Sequence, residues 1–291
     1  MSGLIKNHLT ASEYFERRFG GKVYKLALSC SSTCPNRDGR VGTRGCLFCS
    51  EGGSGEFAES EGSVDEMIER AKLRVASKIK TNKFIAYFQR YTSTYAPFER
   101  LESFFTQAIR REDVVALSVA TRPDCLPENV LDLLDRLNKI KPVFVELGLQ
   151  TVSEQTAKLI RRGYELGVYD EAVGALHARG INVITHVILG LPGESREDMF
   201  RTVAYVGERT DGIKLQLLHV LRGTDLEKMY ERGEFETLTL EEYGEILAGC
   251  LDVLPLRVVV HRLTGDAPKR LLVAPSWSGD KKRVLNFLAH R

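Results

Sequence analysis

Short apolar runs alternate with amphipathic stretches along most of this chain. The runs are rich in β-branched and aromatic residues, which is typical of strands that are buried on both faces. They predict strands over Lys22–Leu28, Phe84–Gln89, Val114–Ala120, Val143–Leu149, Ile181–Leu189, Ile213–Val220 and Leu256–His261.

Between these strands, apolar residues recur at the spacing of one helix face. Ser63 and Glu66 form a capping-box pattern, and the apolar stripe that follows continues as far as Ile79. Similar stripes predict helices over Ala11–Phe19, around Phe98–Ile109, from Pro127, from Ser153, over Tyr169–Arg179, after Ser195, from Thr239 and over Lys281–His290.

Six to seven β-then-α units predict an α/β protein with a parallel sheet covered by helices. The repeating pattern changes near Arg222, before the eight units of a complete barrel are reached. We therefore expect a partial (β/α)6 TIM-like barrel over residues 1–221 and a C-terminal extension packed on it over residues 222–291. A doubly wound sheet is the alternative, because periodicity does not separate the two.

In either architecture, functional residues lie at the C-terminal ends of the strands. Polar and glycine-rich segments follow several predicted strands at this end. They are the cysteine-rich loop after the first strand, Gln89, Arg122, Gln150, Gly190–Glu194 and His219.

Composition predicts a globular protein outside the membrane. Of the 291 residues 43% are hydrophobic and 27% charged, and no apolar run is long enough to span a bilayer. The N-terminus lacks the apolar segment of a signal peptide, so we expect a cytoplasmic protein with reduced thiols. The net charge is +2, with basic excess at both ends: eight Lys/Arg against three Asp/Glu in residues 1–49, and seven against two in residues 262–291. Such ends suit contacts with phosphates.

Four of the six cysteines lie in one loop, at positions 30, 34, 46 and 49. Clustered thiols indicate a metal or cluster site. Three interpretations fit this spacing: zinc held by four ligands including Cys30, an iron–sulfur cluster held by all four thiols, or a 4Fe–4S cluster held by Cys34, Cys46 and Cys49 with one iron open. Cys30 also suits the end of the apolar strand, which favours the third interpretation. Redox or thiol catalysis without a metal is a further alternative.

The motifs around these cysteines resemble the radical S-adenosylmethionine (SAM) superfamily. More narrowly, they resemble the YhcC/YtqA family, whose domain is related to that of the elongator catalytic subunit. The matching segments are Cys34–Gly39 with Gly45–Cys49, Tyr87–Pro97, Ala120–Asp124, Glu146–Gln150, Arg161–Gly163, Leu189–Glu194 and His261–Asp266. The eleven residues between Cys34 and Cys46 match the narrower family.

The resemblance implies that a 4Fe–4S cluster on Cys34, Cys46 and Cys49 delivers an electron to SAM bound at the open iron. It also implies positions for the residues that hold SAM. Phe48 lies beside the adenine, and Gly190 and Gly193 let the backbone approach it. Glu146 and Gln150 reach the ribose hydroxyls. Gln89 binds the methionine amine, and Arg162 pairs with the methionine carboxylate, with Arg161 as the competing choice.

The resemblance further implies an enzyme acting on tRNA, with an external electron donor such as flavodoxin or ferredoxin. The expected chemistry is processing of a wobble-uridine side chain, for example carboxymethylaminomethyl to aminomethyl. The basic termini and the segment from Trp277 to Arg283 are compatible with RNA contacts. A small-molecule substrate and a zinc-stabilised nucleic-acid-binding module without catalysis are the alternatives. His186, His219 and His261 lie in apolar runs and are expected in the core.

Overall fold

The computed structural model describes residues 4, 7–53, 55, 57–77 and 80–290; Ile79, predicted at the end of the second helix, lies outside this set. The strands are β1 (Tyr24–Leu28), β2 (Phe84–Phe88), β3 (Val114–Thr121), β4 (Val143–Gln150), β5 (Asn182–Leu189), β6 (Gly212–Leu217), β7 (Val220–Leu221), β8 (Val259–Arg262) and β9 (Leu272–Ala274). The helices are α1 (Ala11–Phe19), α2 (Val64–Val75), α3 (Phe98–Arg110), α4 (Glu128–Asn138), α5 (Glu154–Leu159), α6 (Leu166–His177), α7 (Arg196–Arg209), α8 (Asp225–Glu231), α9 (Leu240–Val253) and α10 (Lys281–Ala289). Short 3-10 turns cover Pro123–Cys125 and Ser276–Gly279.

Seven parallel strands form the main sheet, in the order β1-β2-β3-β4-β5-β6-β8. Helices between consecutive strands cover its outer face, and the capping boxes at Ser63, Ser195 and Thr239 start α2, α7 and α9. The end strands β1 and β8 do not pair with each other, so the barrel is open. The predicted partial TIM-like barrel is confirmed.

Residues facing the inside of the sheet form successive layers, because side chains alternate between the two faces of a strand. The lowest layer is apolar: Phe15 of α1 packs against Ile85, Ala116, Phe144 and Ile184. Two residues further along these strands the interior becomes polar, and above that layer it opens into a cavity. Helix α1 therefore closes the N-terminal end of the barrel and leaves the C-terminal end accessible.

The C-terminal segment completes the sheet and does not merely lie on it. Strand β8 pairs with β6, and Val260 of β8 also bridges Thr10 before α1. Tyr243, Leu247 and Cys250 of α9 are fully buried in the main core. A domain boundary after residue 221 remains a prediction. In the structure, residues beyond this position supply the seventh strand of the main sheet.

The predicted strand over Ile213–Val220 is divided in the structure. Strand β6 ends at Leu217, and the chain then enters β7, which pairs antiparallel with β9 in a separate two-stranded sheet. Strand β9 and helix α8 were not predicted, because three and seven residues are too few for a clear periodic signal. Among the described helices, none has the length and apolarity that crossing a lipid bilayer requires.

Candidate active site

The cysteine-rich loop is held against the turn that follows α5. The Asn36 amide Nδ2 donates to the carbonyl of Arg161 at 2.7 Å and to the Cys46 sulfur at 3.3 Å. Gly163 in that turn has φ +80°, and a Cβ there would lie 2.5 Å from Val41 and 2.8 Å from the Asn36 side chain. The close approach of loop and turn therefore depends on glycine at this position.

Cys34, Cys46 and Cys49 all border one cavity of about 280 Å³ at the C-terminal ends of the strands. The pKa of Cys46 is lowered to about 6, chiefly by a hydrogen bond with the Cys49 thiol and also by Asn36, Arg122 and Arg37, which together outweigh the effect of burial. Nowhere in the described part of the chain do three His, Cys, Asp or Glu side chains converge on one metal ion. The three thiols nevertheless share one opening, and this arrangement suits a cluster of several metal atoms.

The other cysteines lie elsewhere. Cys30 is fully buried in the main core, its thiol donates to the carbonyl of Ser93 at 3.1 Å, and burial raises its pKa. It is not among the residues that line the cavity. Cys125 and Cys250 are also buried, and burial raises the pKa of each to about 12. The structure thus separates three cavity thiols from three packing thiols.

Most of the residues predicted to hold SAM line the cavity with the thiols: Phe48, Gln89, Glu146, Gln150 and Arg162. Gln150 lies at an irregularity of β4 with φ +75°, and its side-chain oxygen is buried without a hydrogen-bond partner. A strained residue with an unsatisfied acceptor at a cavity is typical of a ligand contact.

The predicted arginines have protein partners. Arg162 is 2% exposed and donates to the Thr151 carbonyl at 2.7 Å, the Tyr164 carbonyl at 3.0 Å and Glu154 at 2.9 Å. Arg161 does not line this cavity, and it donates to Asp225 at 2.7 Å. Of the two, only Arg162 borders the cavity.

The predicted glycines lie in the turn after β5, outside the cavity lining. Both have positive φ, +86° at Gly190 and +82° at Gly193. A Cβ at Gly190 would meet Leu238 at 2.9 Å, whereas nothing lies within 4 Å of one at Gly193. In the structure these glycines shape the turn.

Glu146 is the centre of the polar layer beneath the cavity. Its side chain is fully buried, and it accepts hydrogen bonds from five side chains on other strands. They are Lys25 at 2.6 Å, Tyr87 at 2.9 Å, Ser118 at 2.8 Å, His186 at 2.7 Å and Lys214. Strands β1 to β6 each contribute one member, so this network joins six strands at one level.

The charges in this layer are set by burial and by the two lysines. Burial opposes ionisation of Glu146, but Lys214 and Lys25 outweigh it and hold its pKa well below the usual range. Burial lowers the pKa of Lys214 to about 7, with Lys25 and Arg262 adding to the effect, and lowers the pKa of His186 to about 4. Glu146 is therefore an anion and His186 a neutral donor at neutral pH.

Sequence reasoning missed Tyr87, Lys214 and Arg262, which also line the cavity. Tyr87 and Lys214 are polar residues in the middle of apolar strand-like runs. Aligning the predicted strands by these interior polar positions would have placed them together. The three histidines expected in the core are half-buried, and two of them, His186 and His219, line the cavity. A ring nitrogen of His186 bonds to Glu146, whereas the Nε2 of His219 has no partner among the described residues.

Comparisons with known proteins place this chain in a family. The Radical SAM superfamily model matches residues 34–206, and a Radical_SAM C-terminal domain model matches residues 210–291. YtqA of Bacillus subtilis is 44% identical over 99% of this chain and 90% of its own length. A tRNA uridine(34) acetyltransferase of Methanocaldococcus infernus is 30% identical over 61% of this chain and 33% of its own length. The solved structure of Elp3 from the same archaeon superposes with a TM-score of 0.67 at 21% identity, covering 91% of this chain and 62% of that one.

Family membership brings the cofactors of the superfamily, SAM and a 4Fe–4S cluster. The cavity with its three thiols is where the described residues fit them. The chain belongs to the radical SAM superfamily and, within it, to the YhcC/YtqA family.

Proposed function

We propose that this radical SAM enzyme modifies the side chain of a wobble uridine in tRNA, converting a carboxymethylaminomethyl-type group to aminomethyl. The observation that carries the proposal is the set of three thiols at the mouth of a cavity that runs down to a buried polar floor. The tRNA substrate is supported by the relative whose name states an activity on tRNA uridine 34. The basic N- and C-terminal segments are compatible with phosphate contacts.

Cys34, Cys46 and Cys49 are the proposed cluster ligands. The position of Cys30 supports three ligands, because its thiol is used inside the core and does not border the cavity. When bound, the cluster supplies the electron that cleaves SAM and yields the 5′-deoxyadenosyl radical. Three protein ligands leave one iron open for SAM, which a fourth thiolate would block.

The remaining cavity residues would bind and orient SAM and the substrate. The unpartnered oxygen of Gln150 suits a ribose hydroxyl, and Phe48 beside the thiols offers an aromatic surface to the adenine. Arg162 already donates to three protein acceptors, so its proposed pairing with the methionine carboxylate would add to or replace one of these bonds. The Glu146 network closes the cavity from below.

Trp277 has a packing role in the structure. Its Nε1 donates to the carbonyl of Leu238 at 3.0 Å, and its ring lies 5.8 Å from that of Tyr243. The nearby cations Lys282 and Arg283 at the start of α10 are exposed, and they are the part of this segment available to RNA.

The ligand assignment is tested by iron content and visible absorbance of anaerobically purified variants. Cys34→Ala, Cys46→Ala and Cys49→Ala should each lose the cluster, whereas Cys30→Ala should retain it. Loss of iron in the Cys30→Ala protein, despite a native circular dichroism spectrum, would mean that four thiolates hold the metal.

The substrate is tested by comparing modified nucleosides in tRNA from cells with and without this protein. Cells that lack it should accumulate carboxymethylaminomethyl-type uridine and lose the aminomethyl type. Expression of the wild-type chain should restore the pattern and the Cys34→Ala chain should not. An unchanged nucleoside profile would refute the tRNA substrate and favour a small molecule. Turnover also requires an external one-electron donor, for which flavodoxin and ferredoxin are the candidates.

A further inference from the structure

The cavity has a wall formed by the C-terminal ends of β6 and β8, which we call the β6–β8 wall: Lys214, His219, Arg262 and Asp266. Lys214 and Arg262 are register partners on the two strands. Gln216 and Gly265 lie between these residues in sequence and also line the cavity. This wall is separate in the sequence from the cysteine loop and from the SAM positions discussed above.

Arg262 differs from the other arginines of the cavity. Arg37, Arg122 and Arg162 each donate hydrogen bonds to protein carbonyls or carboxylates. Within the described residues Arg262 has one ion pair, with Asp266 at 3.6 Å, which is too long for a hydrogen bond. Its side chain is 34% exposed at the cavity surface. A guanidinium with five donors and no hydrogen bond is available to a ligand.

Positive charge exceeds negative charge around this wall. Asp266 also pairs with Lys281 at 2.5 Å, and Glu146 is shared by Lys25 and Lys214. Three cations, Lys25, Arg262 and Lys281, together with Lys214, whose pKa is about 7, thus surround two carboxylates. Burial lowers the pKa of His186 and His219 to about 4 and holds that of His261 well below its usual range, so the histidines are neutral. An incoming anion would balance the excess.

His219 supplies a second, independent sign of a ligand. Its ring lines the cavity, and its Nε2 is a buried atom without a hydrogen-bond partner among the residues that the structure describes. Gly265 leaves room for this ring, since a Cβ at that position would lie 2.4 Å from the His219 Cε1. A neutral imidazole N–H and a guanidinium that line the same cavity offer two donors to oxygen atoms of a ligand.

We propose that the β6–β8 wall binds a carboxylate of the substrate, with Arg262 as its principal contact and His219 and Lys214 as further donors. The inference rests on the proposed function, in which the substrate uridine carries a carboxymethyl group and the product does not. The wall then selects the substrate over the product, because the product lacks the anion that Arg262 requires.

The test is equilibrium binding of the full-length protein to one purified tRNA isoacceptor, prepared from cells with and without this protein. Both preparations carry the same phosphates, so the ratio of their Kd values reports only the contribution of the uridine side chain to binding. The wild type should bind the tRNA from cells lacking the protein roughly tenfold more tightly, as expected for a charged hydrogen bond. In Arg262→Gln the two Kd values should become equal, and in Arg262→Lys part of the difference between them should remain. Arg110→Gln, which removes an exposed arginine of α3, should bind like the wild type.

Gly265→Ala gives an independent variant, since it displaces the His219 ring and leaves Arg262 in place. It should weaken binding of the carboxymethylated tRNA and leave binding of the other preparation unchanged. Thermal denaturation establishes that each variant is folded. If Arg262→Gln does not fold, the Kd ratio of Arg262→Lys serves as the test instead.

Two results would overturn the inference and are distinguishable. If the wild type discriminates and folded Arg262→Gln discriminates equally, the wall does not bind the carboxylate, while the proposed function stands. If the wild type does not discriminate and the nucleoside profiles of the two cell types are identical, the proposed function fails together with the inference.

Discussion

At the residue scale, the molecule is built around one buried carboxylate. Glu146 satisfies two lysines, a tyrosine, a serine and a histidine inside the barrel. A buried ion pair is costly to desolvate, and hydrophobic packing would often be at least as stable. The layer therefore indicates function more than stability: it provides a charged, hydrogen-bonded floor directly beneath the cavity.

His186 makes this floor sensitive to acid. Burial lowers its pKa to about 4 in the folded state, against an unfolded value near 6.5, so the unfolded chain binds more protons between these limits. Stability should fall as the pH drops through this range, by up to about 1.4 kcal/mol per pH unit from this residue. His186→Gln keeps a donor for Glu146 and does not titrate. The free energy of unfolding of the apoprotein, measured by urea denaturation, should fall less between neutral and mildly acidic pH in the variant than in the wild type. An equal fall in both proteins would contradict the lowered pKa of His186.

At the scale of elements, the positions of the strands were predictable from the sequence, whereas the register between strands and the side-chain contacts across them were not. Strands β2 to β5 lie within two residues of their predicted positions, because apolar runs buried on both faces are distinctive. The location of Cys30 depends on which face the end of β1 presents, and the Glu146 network depends on register between strands distant in sequence. Neither is encoded in local periodicity. The cysteine spacing indicated a site, the strand-end position of Cys30 favoured three ligands, and the structure places Cys30 in the core.

The docking of the cysteine loop on the turn after α5 gives a prediction at this scale. Gly163→Ala should lower stability and cluster retention, since the new Cβ collides with Val41 and Asn36, and Asn36 positions Cys46. Gly223→Ala is the matched control: Gly223 has the same φ of +80°, and no described atom lies within 4 Å of a Cβ built there. Positive φ costs each variant about 1–2 kcal/mol. Iron per protein should fall only in Gly163→Ala, and equal iron content in the two would show that the contact does not matter.

For the whole molecule, the open sheet is completed by its C-terminal segment. Removing residues beyond 221 would delete β8, expose the edge of β6 and uncover the core positions now filled by α9. We expect a fragment of residues 1–221 to lack a cooperative thermal transition in circular dichroism. Co-expression with residues 222–291 should restore the transition. A cooperative transition in the isolated fragment would show that the barrel folds without its seventh strand.

The most direct test of the central claim is formation of 5′-deoxyadenosine by the anaerobically reconstituted protein with SAM, dithionite and tRNA from cells that lack it. We expect the wild type and Cys30→Ala to form 5′-deoxyadenosine and to consume the carboxymethylaminomethyl-type nucleoside, and we expect Cys34→Ala to do neither. No 5′-deoxyadenosine from wild-type protein with a full complement of iron, or equal amounts from Cys34→Ala, would contradict the central claim.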